Sequence, residues 1–143
     1  MAYAAVVTAT KYKTFRGREQ WRIVVAETEA AATSEWDTSG MVDGGGNTVK
    51  MMPIFTVIGY KSTLVSGTGT TIQPRLGKVT GWVALSQNDF GQQDAASAHV
   101  NDQTRLQCDV GIAGNLFGKS VVNDATADHV ITTEIHVMEG HVE

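Results

Sequence analysis

The chain has 143 residues, of which 42% are hydrophobic and 18% charged, with a formal net charge of -4. That length is one domain, and a folded surface of roughly 7,000 Å² against about 22,000 Å² unfolded leaves room for a single core without staples. The lone Cys108 excludes an intrachain disulfide and a cysteine metal cluster, no apolar run reaches the ~18 residues of a membrane helix, and residues 1–10 lack the basic start of a secretory leader, so folding in a reducing cytoplasm with no membrane partner is expected.

Few charges beside many Thr, Val and Gly favour strands and turns over helices. Ala4 to Thr14 is small and β-branched and reads as a first strand, ended by Gly17. Lys11, Lys13, Arg16, Arg18 and Arg22 crowd this end of the chain against one acid, Glu19, while the remainder is acidic. Residues 1–18 therefore form a basic strand or arm ahead of a single β-rich domain over 19–143. Such a segment is either an edge strand kept soluble by its charges or an arm that docks on an acidic partner. In the second case Lys11, Lys13, Phe15, Arg16 and Arg18 are the contact residues. Nucleic acid is disfavoured as the partner, because the acidic body repels phosphate and few aromatics interleave the bases.

Trp21 to Thr28 alternates, with Trp21, Ile23 and Val25 on one face. Residues 27–35 fit either a continued strand or a short helix. Residues 37–47, with Gly44, Gly45 and Gly46, read as a flexible surface loop. Met51 to Val65 is the longest strand, with Ile54, Thr56, Ile58, Tyr60, Ser62 and Leu64 on one face and Phe55, Val57, Gly59 and Lys61 on the other. Ser66 to Gly69 is a turn, and Thr70 to Leu76 the second arm of a hairpin, with Pro74 near a sheet edge. Lys78 to Leu85 alternates again. Residues 86–103 are polar and lack strand periodicity; Asp94 to Val100 is their best helical turn. Arg105 to Ala113 is a half-buried strand carrying Cys108, 114–128 is irregular, and His129 to Met138 is the last strand. Seven or eight strands separated by small-residue turns predict an all-β fold, an antiparallel β-sandwich or barrel with long loops.

The motifs carry little chemistry. Ala113 to Ser120 matches a relaxed phosphate loop, but such a loop must open a helix, and Val121 and Val122 are poor helix starters. Ser66 to Thr71 is Gly-rich but lies between strands, as a turn does. His99, His129, His136 and His141 do not form a set: His129 and His136 are an odd number of residues apart, which puts them on opposite strand faces. Asp124 with Asp128, or Asp89 with Asp94, are oxygen ligands for calcium at most. Cys108 is a small core residue. Trp21, Trp36 and Trp82 are core residues first; Trp36 or Trp82 would be the platform in a sugar-binding module. No cofactor, metal site or catalytic constellation is expected.

The Trp21–Trp36 segment WRIVVAETEAAATSEW, the Gly-rich loop, IGYKSTLVSGTGTTIQPRLG and the last twenty residues DATADHVITTEIHVMEGHVE together resemble small structural proteins of tailed-phage heads, of the cement or decoration type. The resemblance is one of texture across most of the chain. It implies a virion protein made in the host cytoplasm, without enzyme activity, a homo-oligomer and often a trimer. Its partner would be the major capsid protein, bound on the outer surface so that neighbouring capsomers are cross-linked. The basic first strand suits attachment by strand addition. Another virion component (tail-tube, head-completion or fibre-base subunit) and a carbohydrate- or protein-binding β-sandwich module are the alternatives.

Overall fold

The computed structural model describes residues 2–13, 17–77, 84–89, 93–94, 99–102, 106–109 and 114–140, with side chains over 2–12, 17–59, 61–70, 72 and 114–140. Eleven strands and no helix occur among them: β1 Ala4–Lys13, β2 Glu19–Ala30, β3 Thr33–Asp37, β4 Ile54–Ser66, β5 Thr71–Gly77, β6 Ala84–Asp89, β7 Gln93–Asp94, β8 His99–Asp102, β9 Leu106–Asp109, β10 Phe117–Val122 and β11 His129–Glu139. All strand pairings are antiparallel. The first sheet has the order β1-β2-β11-β4-β8, with β9 also on β4; the second has the order β3-β10-β5-β6, with β7 also on β5. Among the described residues neither sheet closes on itself, and the fold is a β-sandwich.

Period-two burial builds the core. Val7 and Ala9 from β1, Trp21, Ile23 and Val25 from β2, and Ile131, Ile135 and Val137 from β11 face the second sheet and are buried. Trp36, Ile72 and Val122 close over them from the other side. Fully burying a side chain of this size contributes about 1.5–3 kcal/mol, so this one layer dominates the stability of the fold.

Several expectations need correction. Ile54 to Leu76 is not a hairpin: β4 pairs with β11 in the first sheet, and β5 pairs with β10 in the second. The Ser66–Thr70 segment is the corner by which the chain changes sheet. Its donors are taken by side chains from the β10–β11 side, Gly69 N–H by His129 and Thr70 N–H by Asn123, instead of closing a two-stranded turn. The single face assigned to Ile54 through Leu64 also fails. A register shift between His136 and Val137 leaves Ile58 as an extra residue on β4, which turns Phe55 and Val57 inward on one side of it and Ser62 and Leu64 inward on the other.

The polar 86–103 stretch contributes β6, β7 and β8 to the sheets. The proposed helical turn at 94–100 begins and ends on strand residues, and its centre lies outside the described residues. The irregular 114–128 region contains β10, a central strand of the second sheet. The triglycine loop is pinned: Asp43 Oδ1 accepts Gly45 N–H at 2.9 Å and Asn47 N–H at 3.0 Å, and Gly46 takes the left-handed φ of 81°. The expected strand at 78–85 falls mostly outside the described residues; its end, Ala84 and Leu85, begins β6. Trp82 and His141 also lie outside them.

Gly118 on β10 pairs with Trp36 on β3, and a Cβ placed there would fall inside the indole ring. The ring lies over the bare glycine backbone, which no other residue offers. Gly118→Ala is therefore expected to cost about 1–3 kcal/mol by overpacking, read as a lowered urea midpoint with unchanged m-value and a shifted tryptophan emission. An unaltered midpoint would show that the ring moves freely.

Candidate functional site

The inward row of β2 continues past Trp21, Ile23 and Val25 to Glu27, which is 0% exposed. Three hydroxyls surround its carboxylate. Tyr3 Oη donates to Oε1 at 2.7 Å, Ser34 Oγ to Oε1 at 2.8 Å and Ser120 Oγ to Oε2 at 2.8 Å. Ser34 and Ser120 are cross-strand partners in the second sheet, so one carboxylate of the first sheet is held by two facing strands of the other. Burial pushes the Glu27 carboxyl above its ordinary value, and the three hydrogen bonds only partly offset this. Burial also pushes the Tyr3 phenol upward, and the neighbouring Glu27 adds to the shift.

The geometry makes Glu27 a clamp rather than a catalytic acid, since its two oxygens are turned into the protein and occupied. Two residues on, Glu29 has a φ of 56°, the left-handed region that non-glycine residues rarely adopt. It occupies the bulge where Thr28 and Glu29 of β2 oppose the single residue Val130 of β11, between the pairs Glu27–Ile131 and Ala30–His129. A shallow cavity of about 450 Å³ opens beside the clamp, lined by Tyr3, Glu29, Ala31, Thr33, Ser34 and Glu35, with Ala127 at its rim. A second, of about 520 Å³, lies further along the same side between Ala5–Val7 of β1 and Trp36–Val42.

Among the described residues His129 is the other buried ionisable side chain. Its Nδ1 lies 2.7 Å from the Ala30 carbonyl, and its Nε2 accepts the Gly69 N–H at 3.1 Å. The proton therefore belongs on Nδ1, and both ring nitrogens are used. The fold brings Asp124, Asp128 and His129 within 4.8 Å of one another. Their atoms are already engaged: Asp128 accepts from Thr68, and Asp124 accepts the Thr126 N–H at 2.8 Å, a bond that holds its carboxyl below the ordinary value. The cluster ties the sheet-changing corner to the start of β11. The Gly114–Ser120 part of the phosphate-loop match runs into strand β10, so no helix end faces a phosphate there.

Of the basic residues at this end of the chain, Lys11, Arg18 and Arg22 have described side chains. Lys11 is exposed with Nζ 4.7 Å above the Trp21 ring. Lys13 ends β1 opposite Glu19. Arg18 reaches across to β11, with Nη1 4.0 Å from Met138 Sδ. Arg22 pairs with Glu134, whose carboxyl is raised by burial but carried below its ordinary value by Arg22 and His136. Phe15 and Arg16 lie outside the described residues. Trp21 and Trp36 are both buried, so neither is an exposed stacking platform. The clamp escaped the sequence reading, although the signal was present: Glu27 has the parity of Trp21, Ile23 and Val25.

Because the folded state holds the Glu27 proton more tightly than the unfolded chain, which releases it near 4.5, the stability this group contributes is full below that pH and falls as pH rises toward the folded value. Glu27→Gln is therefore expected to flatten the decline in urea-derived stability from acidic to neutral pH. An identical slope in variant and wild type would assign the pH dependence elsewhere. Ser120→Ala should cost about 1–3 kcal/mol at neutral pH by leaving an acceptor unsatisfied.

No protein-family model and no curated protein matches the chain. Among solved structures it is similar to TmCBM27, a carbohydrate-binding module studied for specific mannan recognition, at 12% identity and a TM-score of 0.36, over 96% of this chain and 88% of that one. It is also similar to the C-terminal CBM6 of LamC, a marine laminarinase from Zobellia galactanivorans, at 6% identity and a TM-score of 0.26, over 96% of this chain and 99% of the other. Likeness at this level assigns neither a ligand nor a residue.

Proposed function

We propose that the chain is a non-catalytic β-sandwich binding module that docks on a partner protein through its open strand edges. One observation carries this reading: β1 and β3 end their respective sheets on the same side of the sandwich, and the two cavities lie between them. The titratable groups with unusual environments favour no reaction, since Glu27 and His129 spend their hydrogen-bonding capacity on the fold. Attachment to a capsid is the special case in which the partner is a major capsid protein. The textural resemblance and the basic residues along β1 support it, as they support assembly of several copies on a symmetric shell.

A sugar is the second reading. The cavity beside Tyr3 sets the Glu29 and Glu35 carboxylates and the Thr33 hydroxyl around a half-buried aromatic ring, the mixture of acceptors and apolar face that polyhydroxylated ligands need. The burial of Trp21 and Trp36 counts against it.

Co-sedimentation of the purified chain with undecorated capsids from the same genome is expected to give saturable binding. A glycan array is expected to be flat. Absence from the capsid pellet removes the virion case, and a saturable glycan signal lost in Tyr3→Ala replaces the protein-docking reading with the sugar one.

A further inference from the structure

We infer that the open edge of β3 takes up an extended basic segment of a partner protein as an added strand, with its side chains entering the cavities at the two ends of β3. The inference rests on the docking reading above and goes beyond it by naming the edge and the chemistry of the occupant.

The backbone fixes which groups are offered. Ala32 C=O accepts Val122 N–H at 2.8 Å, and Thr38 N–H donates to Leu116 C=O at 3.1 Å. Even-numbered positions of this stretch thus face β10, and in an antiparallel ladder the odd positions face the other way. Thr33, Glu35 and Asp37 therefore turn their N–H and C=O groups to the open edge. The Tyr3 phenol reaches Glu35 C=O from this side at 3.1 Å and takes one of its two lone pairs, so an added strand engages chiefly the groups of Thr33 and Asp37 and the Glu35 N–H. No strand pairs with β3 on this side among the described residues. By contrast, β1 is partly closed at its centre, where Ala9 N–H donates to Val42 C=O at 2.8 Å and Val42 N–H to Val7 C=O at 3.1 Å.

The cavities supply the specificity. One borders Thr33 to Glu35 and the other Trp36 and Asp37. At about 3.3 Å per residue, a strand laid along β3 spans both within roughly five residues and can send alternate side chains into each. Glu29 and Glu35 line the first cavity, Asp37 the second, and no Lys or Arg lines either. Asp37 Oδ1 is taken by Ser39 N–H at 2.9 Å, which leaves Oδ2 for a ligand. The second cavity has an apolar wall of Val7 and Trp36. Carboxylates at the rim over an apolar wall match Lys or Arg side chains, which lay an apolar stem on such a surface and keep the charge at its edge.

The probe is a nine-residue peptide of alternating Val and Lys, titrated into the full chain by calorimetry, beside its Val/Glu counterpart and a copy N-methylated at alternate residues. The basic peptide is expected to bind in a salt-dependent way. N-methylation should abolish binding, and the double substitution Glu35→Lys, Asp37→Lys should weaken it at least tenfold while the circular dichroism spectrum is preserved. Equal binding of the Glu peptide, indifference to N-methylation, or absence of binding at millimolar concentration overturns the inference. So does concentration-dependent self-association that the peptide displaces, which makes a second copy the occupant. Capsid binding retained by the double variant, with the peptide inactive, would sink this edge assignment and leave the docking reading intact.

Discussion

A single ionisable carboxyl buried between the two sheets constrains how their strands can register against one another. Glu27 is out of water, and each of its oxygens is met by a hydroxyl from the opposite layer. Buried polar groups of this kind are costly unless satisfied, and their partners must then hold their places. The register of β3 against β10 places Ser34 beside Ser120, and the same register sets Gly118 under the Trp36 indole. The β2 bulge at Glu29 follows directly after the clamp and lets Ala30 turn its carbonyl to His129. His129 in turn holds the corner at Gly69. A polar chain thus links β2, the corner and β11 at one end of the core.

Much of the fold was legible because alternation reports burial directly. β1, β2 and β11 follow their sequence pattern closely, and Trp21, Ile23, Val25, Ile131, Ile135 and Val137 are buried as the period of two requires. The misreadings have specific causes. Ile58 is an extra residue in β4, and a bulge inverts parity without leaving any mark in residue type. β10 is short, and its row of Gly118, Ser120 and Val122 is too small and polar to look like a central strand. The β4–β5 connection has turn chemistry suited to a hairpin, but sheet membership is decided by β10 and β11, remote in sequence, which no local signal reveals. At the site, Glu27 was legible by parity, whereas the arrival of Tyr3, Ser34 and Ser120 from three other strands was not.

The surface carries a division of labour. The face of β2 and β11 away from the core pairs its charges internally, Arg22 with Glu134 and His136 beside the same carboxylate. The side where β1 and β3 end is different, with outward-facing backbone groups, cavities and acidic rims. Charge alone, read along the sequence, pointed to the basic segment near residue 11. Charge read with backbone direction points to the other end of the same side. The two regions have opposite sign, and a partner that engages both must itself be charge-segregated.

β11 is inserted between β2 and β4, so the last described strand in chain order occupies the middle of the first sheet. While the chain is being synthesised, the β1–β2 ribbon and β4 wait with their ladder edges bare and their apolar rows uncovered. Local pairing cannot finish the sheet; a strand about a hundred residues downstream of β2 must arrive first. Folding of this sheet therefore waits on slow non-local closure, and the interval before it is when the bare strands are most open to pairing with the wrong neighbour.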